Sequence, residues 1–344
     1  MNALPWLTTD GHRIVSVESG APVMLRGINR SGLEYATPIG GDFLAGARLS
    51  FSEIEEIVNG WRARVVRIPF SQSRVLDAAT SAAYLHALDT VIDWTASCGA
   101  YALLDLQWLD PVLSYGSTSD GSVNRIAPLP ASESCQLWRV VAERYQDTPA
   151  VLFDIYNEPH SRLPDDPYVP IAVRPDGSEH PLMDGRVTAG VWRHAAARLV
   201  RIIKEAHPRA LIFISGVSWG YDLRRVPFDP ADDIDPAGIV YATHVYPSSM
   251  FERGSGQAAQ GPRAWDRAFG SLAAHVPVCV AEFGGGAEDV EWGRRLLDYL
   301  EARAIGWIGW SWSDAPRLVT SDEPRRPTPF GALVREALAS GTLE

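Results

Sequence analysis

Two stretches of this chain end on a glutamate where an apolar run stops. The first is Val151-Leu152-Phe153-Asp154-Ile155-Tyr156-Asn157-Glu158-Pro159, almost continuously apolar from Val151 to Ile155 and closed by a proline that forbids further ladder pairing. The second is Val278-Cys279-Val280-Ala281-Glu282-Phe283-Gly284-Gly285, an apolar strand with one glutamate at its end and glycines that let backbone or ligand approach closely. Such strands carry a carboxylate to their C-terminal ends, so Glu158 and Glu282 are expected to face each other across one cleft. Placed about 5 Å apart, two carboxyls differentiate themselves: like charge raises one pKa, while a nearby arginine favours ionisation of the other. Asn157 stands beside Glu158, and Arg67, Gln107, His244, Tyr246 and Trp310 fall at strand ends as well. With hydrogen-bonding and aromatic neighbours, no His/Cys metal spacing and no phosphate loop, the pair suits hydrolysis of a glycosidic bond, needing neither metal nor organic cofactor.

The elements that must position these residues alternate in type. Strands are expected at Leu25–Asn29, Val65–Phe70, Tyr101–Trp108, Val151–Ile155, Ala210–Gly216, Ile239–Pro247, Val278–Glu282 and Ile305–Trp312. Helices are expected between them, notably Ala82–Ser97, Ser132–Tyr145, Ala189–Ala206, Pro262–Ala274, Asp289–Arg303 and Phe330–Ala339, with one more opened by Ser52, whose Glu55 completes a capping-box pattern. Eight strand–helix units predict a TIM (β/α)8 barrel with functional residues at the strands' C-terminal ends. Before it, two alternating runs between His12 and Leu25 flank Glu18–Pro22 and read as an N-terminal β-hairpin, residues 1–24, plugging one end of the barrel. Two long Pro/Asp/Gly-rich connections, Leu109–Pro130 and His160–Gly185, are expected to form cleft walls.

Composition is consistent with one catalytic domain over residues 1–344. Hydrophobic residues make up 46% and charged residues 21%, enough for a large core and too little charge for disorder. A formal net charge of −11 without a basic face argues against a nucleic-acid partner, and no stretch reads as a membrane span. Cys98, Cys135 and Cys279 form no paired framework and read as small buried hydrophobes. Residues 1–12 lack the basic and apolar regions of a signal peptide, so the protein either acts inside the cell or has had an export signal removed.

The strand-end pattern of Arg67, Asn157-Glu158-Pro159, His244-x-Tyr246, Glu282 and Trp310 resembles family 5 of the glycoside hydrolases, the cellulase family of the retaining barrel clan, from Leu25 to the final helix. The resemblance implies Glu158 as acid/base and Glu282 as the nucleophile that forms a glycosyl-enzyme intermediate. It further implies Asn157 on the sugar 2-hydroxyl, Arg67 and Tyr246 holding Glu282 ionised and aligned, His244 on the sugar or Glu158, and Trp310 as the stacking floor. It departs from the family on the third strand, where Asp-x-His is usual and Asp105-Leu106-Gln107 stands here; Gln107 can hydrogen-bond but carries no charge. Arg67 also suits a paired structural ion and His244 a satisfied core histidine. Trp108, Trp219, Trp265 and Trp312 are further stacking candidates, Trp312 sharing parity with Trp310, and Glu34 and Tyr35 are candidates for a distal subsite. The expected partner is a β-linked oligo- or polysaccharide taken by a monomer, most simply as an endo-β-1,4-glucanase. Mannanase, xyloglucanase, exo-β-glucosidase and transglycosylase are alternatives on the same scaffold; a non-catalytic glycan-binding barrel is disfavoured by the presence of both glutamates.

Overall fold

Strands buried on both faces cannot end in open edges, and here they close on themselves. The computed structural model describes residues 4–110, 126–162, 169–173, 178–247 and 261–341. An antiparallel pair, β1 (Leu7–Asp10) and β2 (Arg13–Ser16), comes first. Then follow β3 (Arg26–Asn29), β4 (Val65–Ser71), β5 (Tyr101–Trp108) and β6 (Val151–Asp154), a small antiparallel pair β7 (Ile171–Val173) and β8 (Glu179–Pro181), and β9 (Ile212–Ser215), β10 (Ile239–Val245), β11 (Val278–Phe283) and β12 (Gly306–Gly309). Strands β3, β4, β5, β6, β9, β10, β11 and β12 run parallel in that order, and β12 returns to β3 with Ile308 opposite Gly27. This is the expected eight-stranded TIM barrel.

Two cores hold it. Inside the barrel, Leu103, Leu152, Phe213, Val240, Ala281 and Ile308 meet, and Leu7 and Ile14 of the first pair join them, so β1 and β2 plug the barrel. Outside, the opposite strand faces pack against helices. Trp138, on the helix Ser134–Tyr145, donates its indole N–H to the Ile155 carbonyl at 3.0 Å, and Trp192, on the helix Ala189–Ala206, donates to the Ser215 carbonyl at 2.6 Å. Each indole satisfies a backbone group at a strand end and fixes a helix there.

Several boundaries differ from expectation. The paired hairpin turns at Gly11 and His12, because β2 pairs with β1. The expected Glu18–Pro22 turn is also present, folding back on β2 through a bridge between Val15 and Pro22 and backbone bonds from Ser16 to Ala21 at 2.9 Å and from Val23 to Ile14 at 2.8 Å, without extending into a second strand pair. The capping box uses Ser50 and Glu53, not Ser52 and Glu55: Ser50 Oγ accepts from the Glu53 amide at 3.4 Å, and Glu53 Oε2 accepts from the Ser50 amide at 3.3 Å. Two overlapping Ser-x-x-Glu patterns compete there, and the extended backbone of Ser50 selects the earlier one. The helix expected over Pro262–Ala274 widens at Asp266–Gly270 and tightens at Leu272–Ala274, with Tyr299 packed against Gly270 where any β-carbon would collide. Of the two long loops, residues 111–125, 163–168 and 174–177 lie outside the described residues; the described ends of both loops line a hollow of about 240 Å³ that includes Leu109, Leu129, Pro170 and Ile171. Among the described residues no helix is long and apolar enough to cross a membrane.

Candidate active site

Arg67, fully buried on β4, organises the C-terminal end of the barrel. Its Nε donates to Asp154 Oδ2 at 2.9 Å, Nη1 to Asn29 Oδ1 at 3.0 Å and Glu282 Oε1 at 2.7 Å, and Nη2 to Asn157 Oδ1 at 3.0 Å, with Asp105 Oδ1 also 3.0 Å from Nη2. The fixed fork of a guanidinium thus ties together residues from β3, β4, β5, β6 and β11 and the turn after β6, which a flexible ammonium would not do.

Glu282 receives a second hydrogen bond, from the Tyr246 hydroxyl to Oε2 at 2.8 Å, and is 3% exposed. Across from it, Glu158 turns at the end of β6 with φ +53°, a left-handed conformation uncommon for a non-glycine residue. His244 Nδ1 lies 2.9 Å from Glu158 Oε1 and 3.5 Å from Glu282 Oε2, and one donor atom from each of the three residues falls within 4.8 Å of the others. His244 is seated against Gly220, whose φ is +74° and where a β-carbon would stand 2.7 Å from the imidazole. Gly284 does the same beside Trp310, whose carbonyl would be 2.5 Å from a β-carbon there.

Such a pair at the mouth of an eight-stranded barrel can be placed among known proteins. The family model Cellulase (glycosyl hydrolase family 5) matches residues 18–316. The chain belongs to glycosyl hydrolase family 5. Endoglucanase E-5 of Thermobifida fusca is 21% identical over 86% of this family 5 chain and 53% of its own length, and Endoglucanase MaCel5A of a Microbulbifer species is 21% identical over 85% and 48%. The chain therefore spans about half the length of the curated relatives it matches. Among solved structures, a β-glucanase from Saccharophagus degradans superposes with a TM-score of 0.72 at 20% identity, covering 98% of this chain and 94% of that one. An endocellulase from Pyrococcus horikoshii, crystallised with cellotetraose, gives a TM-score of 0.73 at 19% identity over 97% and 98%.

Burial sets the protonation of this family 5 site. It pushes the Glu158 carboxyl up to about 7, with Arg67 pulling weakly the other way. Burial also raises Glu282, with Glu158 adding to the rise, while His244, Arg67 and the Tyr246 hydroxyl oppose it in favour of the ionised form. His244 is pushed down to about 4 by burial and is neutral at pH 7. Asp105 and Asp154 are both raised by burial despite sharing Arg67, so one guanidinium does not fully compensate the acids around it. Among the described residues Glu158, His244 and Glu282 are the group near enough to share a cation, yet their facing atoms already bond to one another, to Arg67 and to Tyr246.

Of the residues singled out in the sequence, Arg67, Asn157, Glu158, His244, Tyr246 and Glu282 converge directly. Three polar atoms at this end of the barrel are buried without a protein partner among the described residues: Asn157 Nδ2, Gln107 Oε1 and His244 Nε2. Trp310 leaves the barrel after β12, half-buried, with its amide donating to the Phe283 carbonyl at 2.7 Å and its indole to the Ala315 carbonyl at 3.1 Å. Trp312 instead packs into the core against Trp61 with ring centroids 5.1 Å apart, and Trp265 packs against Tyr299, so both rings are buried in the core. Trp108 sits beside Tyr35 at 6.0 Å, and Trp219 stacks on His160 at 3.6 Å. Glu34 is buried rather than on the cleft surface. Sequence reasoning missed Asn29 and Asp154 as partners of Arg67. For Asp154 the available signal was a lone charged residue in an otherwise apolar strand; Asn29 ends a strand that also carries Arg26.

Proposed function

We propose that this chain, as one catalytic unit over residues 1–344 acting as a monomer, hydrolyses a β-linked glucan by double displacement, most simply as an endo-β-1,4-glucanase. The observation that carries this reading is the approach of the two carboxylates within 4.8 Å. Retaining glycosidases hold their pair at about 5–5.5 Å, whereas inverting enzymes leave about 6.5–9.5 Å for a water. Glu158, protonated below about pH 7, gives its proton to the leaving glycosidic oxygen while the Glu282 carboxylate attacks the anomeric carbon. The resulting Glu158 carboxylate takes a proton from water, which attacks the same carbon and releases Glu282. Arg67 and Tyr246 hold the nucleophile in line and ionised. Asn157 Nδ2, Gln107 Oε1 and His244 Nε2, without partners among the described residues, are suited to sugar hydroxyls, and Trp310 to a sugar face.

The glucan assignment draws support from relatives named endoglucanases and from the neighbour crystallised with cellotetraose. The experiment is a product profile on carboxymethylcellulose, barley β-glucan, xyloglucan, glucomannan, mannan and cello- and manno-oligosaccharides. A ladder of oligomers from a glucan supports the reading. Monosaccharide alone, or products longer than the substrate, would replace it with exo-hydrolysis or transglycosylation, and cleavage confined to mannan would move it to another backbone.

A further inference from the structure

A second hollow lies at the same end of the barrel as the acid pair, between the loops that follow β3 and β12. It has a volume of about 260 Å³, room for roughly eight water molecules at about 30 Å³ each. Its walls grow from the strand ends that support the catalytic carboxylates. Arg30 follows Asn29, whose side chain accepts from Arg67, and Ser313 and Asp314 belong to the loop that begins at Trp310. Four guanidinium groups line it, from Arg30, Arg48, Arg317 and Arg325.

The acids nearby do not balance them. Asp314, the acid among the lining residues, accepts the Tyr35 hydroxyl on both oxygens at 2.9 Å. Glu53 is shared between Arg30, at 2.8 Å, and Arg325, and Arg325 pairs further with Glu323 at 3.1 Å, so the uncompensated charge is that of Arg48 and Arg317. Glu34, adjacent to Tyr35 in sequence, is held protonated at neutral pH by burial, with a pKa of about 8. Arg48 and Arg317 are exposed and make no ion pair among the described residues. Arg30 is 1% exposed, and its Nε is buried without an acceptor among the described residues. Repulsion from Arg30 and Arg48 adds to burial in lowering Arg325. The chain as a whole carries −11, so this local cationic excess is a feature of the pocket, not of the surface at large.

We propose that this pocket binds a carboxylate substituent carried by the glycan in the cleft, which makes the substrate class an acidic, carboxylate-bearing glucan. The planar forks of Arg48 and Arg317 suit bidentate carboxylate recognition, and the pocket is joined to the acid pair through Arg30, whose neighbour Asn29 bonds the Arg67 that holds Glu282. The inference rests on the glycosidase reading above, and its test separates the two.

The test compares cellotetraose with its analogue bearing glucuronic acid at the non-reducing end, for wild type and for Arg48→Gln combined with Arg317→Gln. Wild type should favour the acidic tetrasaccharide in kcat/KM by about tenfold at low salt, with the preference shrinking in high salt. The double variant should lose that preference and keep its rate on neutral cellotetraose. Equal rates for both sugars in wild type, or equal losses on both in the variant, would overturn the pocket. Calorimetric binding to Glu282→Gln chains covers the case in which neither sugar is cleaved. Failure of turnover then defeats the glycosidase reading alone, while tighter binding of the acidic sugar that depends on Arg48 and Arg317 upholds the pocket and equal binding defeats it. Inorganic phosphate is the control: binding as tight as that of the acidic sugar would make this a free-anion site and end the proposal.

Discussion

At the scale of single residues, the proposed division of labour between two chemically identical side chains comes from their neighbours. Glu282 touches a cation and a phenol; Glu158 touches a neutral imidazole and faces burial with little relief. Replacing Glu282 with alanine should abolish turnover, with azide restoring it and yielding an α-glycosyl azide, readable by NMR; a β-azide from that variant would exchange the two roles. Glu158→Ala should slow natural glycans far more than aryl glycosides with good leaving groups, because only the former need the proton. Since Glu158 must be protonated to act, kcat/KM should fall as pH rises through about 7. An alkaline limb that persists unchanged in Glu158→Gln would show that another group sets it. Arg67→Lys should cost activity out of proportion to its charge, since an ammonium cannot reach all five partners of the guanidinium.

At the scale of elements, strands read well from the sequence and turns less well. A strand buried on both faces writes itself as a continuous apolar run, so β4, β5 and β11 fell within a residue of expectation, and the glutamates at the ends of β6 and β11 were legible with them. A turn depends on which of several local hydrogen-bond patterns wins tertiary support, and that contest left no mark at Glu18–Pro22, whose turn forms without a second strand pair. The Arg67 network was equally hidden, because partners such as Asn29, Asp105 and Asp154 lie far apart in sequence and meet only through barrel register, with Asp105 opposite Asp154. The capping box shows why the earlier Ser-Glu pair prevails: Glu53 both caps the helix Phe51–Glu55 and pairs with buried Arg30, a bond Glu55 does not make. Ser50→Ala should therefore cost about 1 kcal/mol, the worth of one cap. Glu53→Ala should cost roughly 3 kcal/mol, because it also strands a buried guanidinium. Equal losses for the two in urea unfolding would mean that the Ala47 and Arg48 carbonyls satisfy Arg30 unaided.

At the scale of the whole molecule, buried ionisable groups at both ends of the barrel set how stability varies with pH. Burial raises Glu34 to about 8 and Glu158 to about 7 from an ordinary 4.5. Such carboxyls bind their protons more tightly in the folded chain, so their contribution is full below 4.5 and is lost as pH rises through those values. His207, buried between Trp6 and Phe153 beneath the barrel, and His244 at its mouth are both lowered from 6.5 to about 4. Their contribution is present above 6.5 and is lost as pH falls toward 4, because the unfolded chain takes up the protons first. Between about 4.5 and 6.5 the two sets oppose each other. Above 6.5 Glu34 and Glu158 still change, and Lys204, lowered by burial to about 8, begins to oppose them only as that value is approached. The melting temperature should therefore be highest at mildly acidic pH and should fall between about 6.5 and 8, before lysines and tyrosines of ordinary pKa titrate. Glu34→Gln keeps the shape of the protonated acid without its proton, so the variant should match wild type at pH 5 and lose less on the alkaline side. Parallel curves for the two chains from pH 6.5 to 8 would remove Glu34 from the set and place the alkaline loss on the catalytic cluster alone.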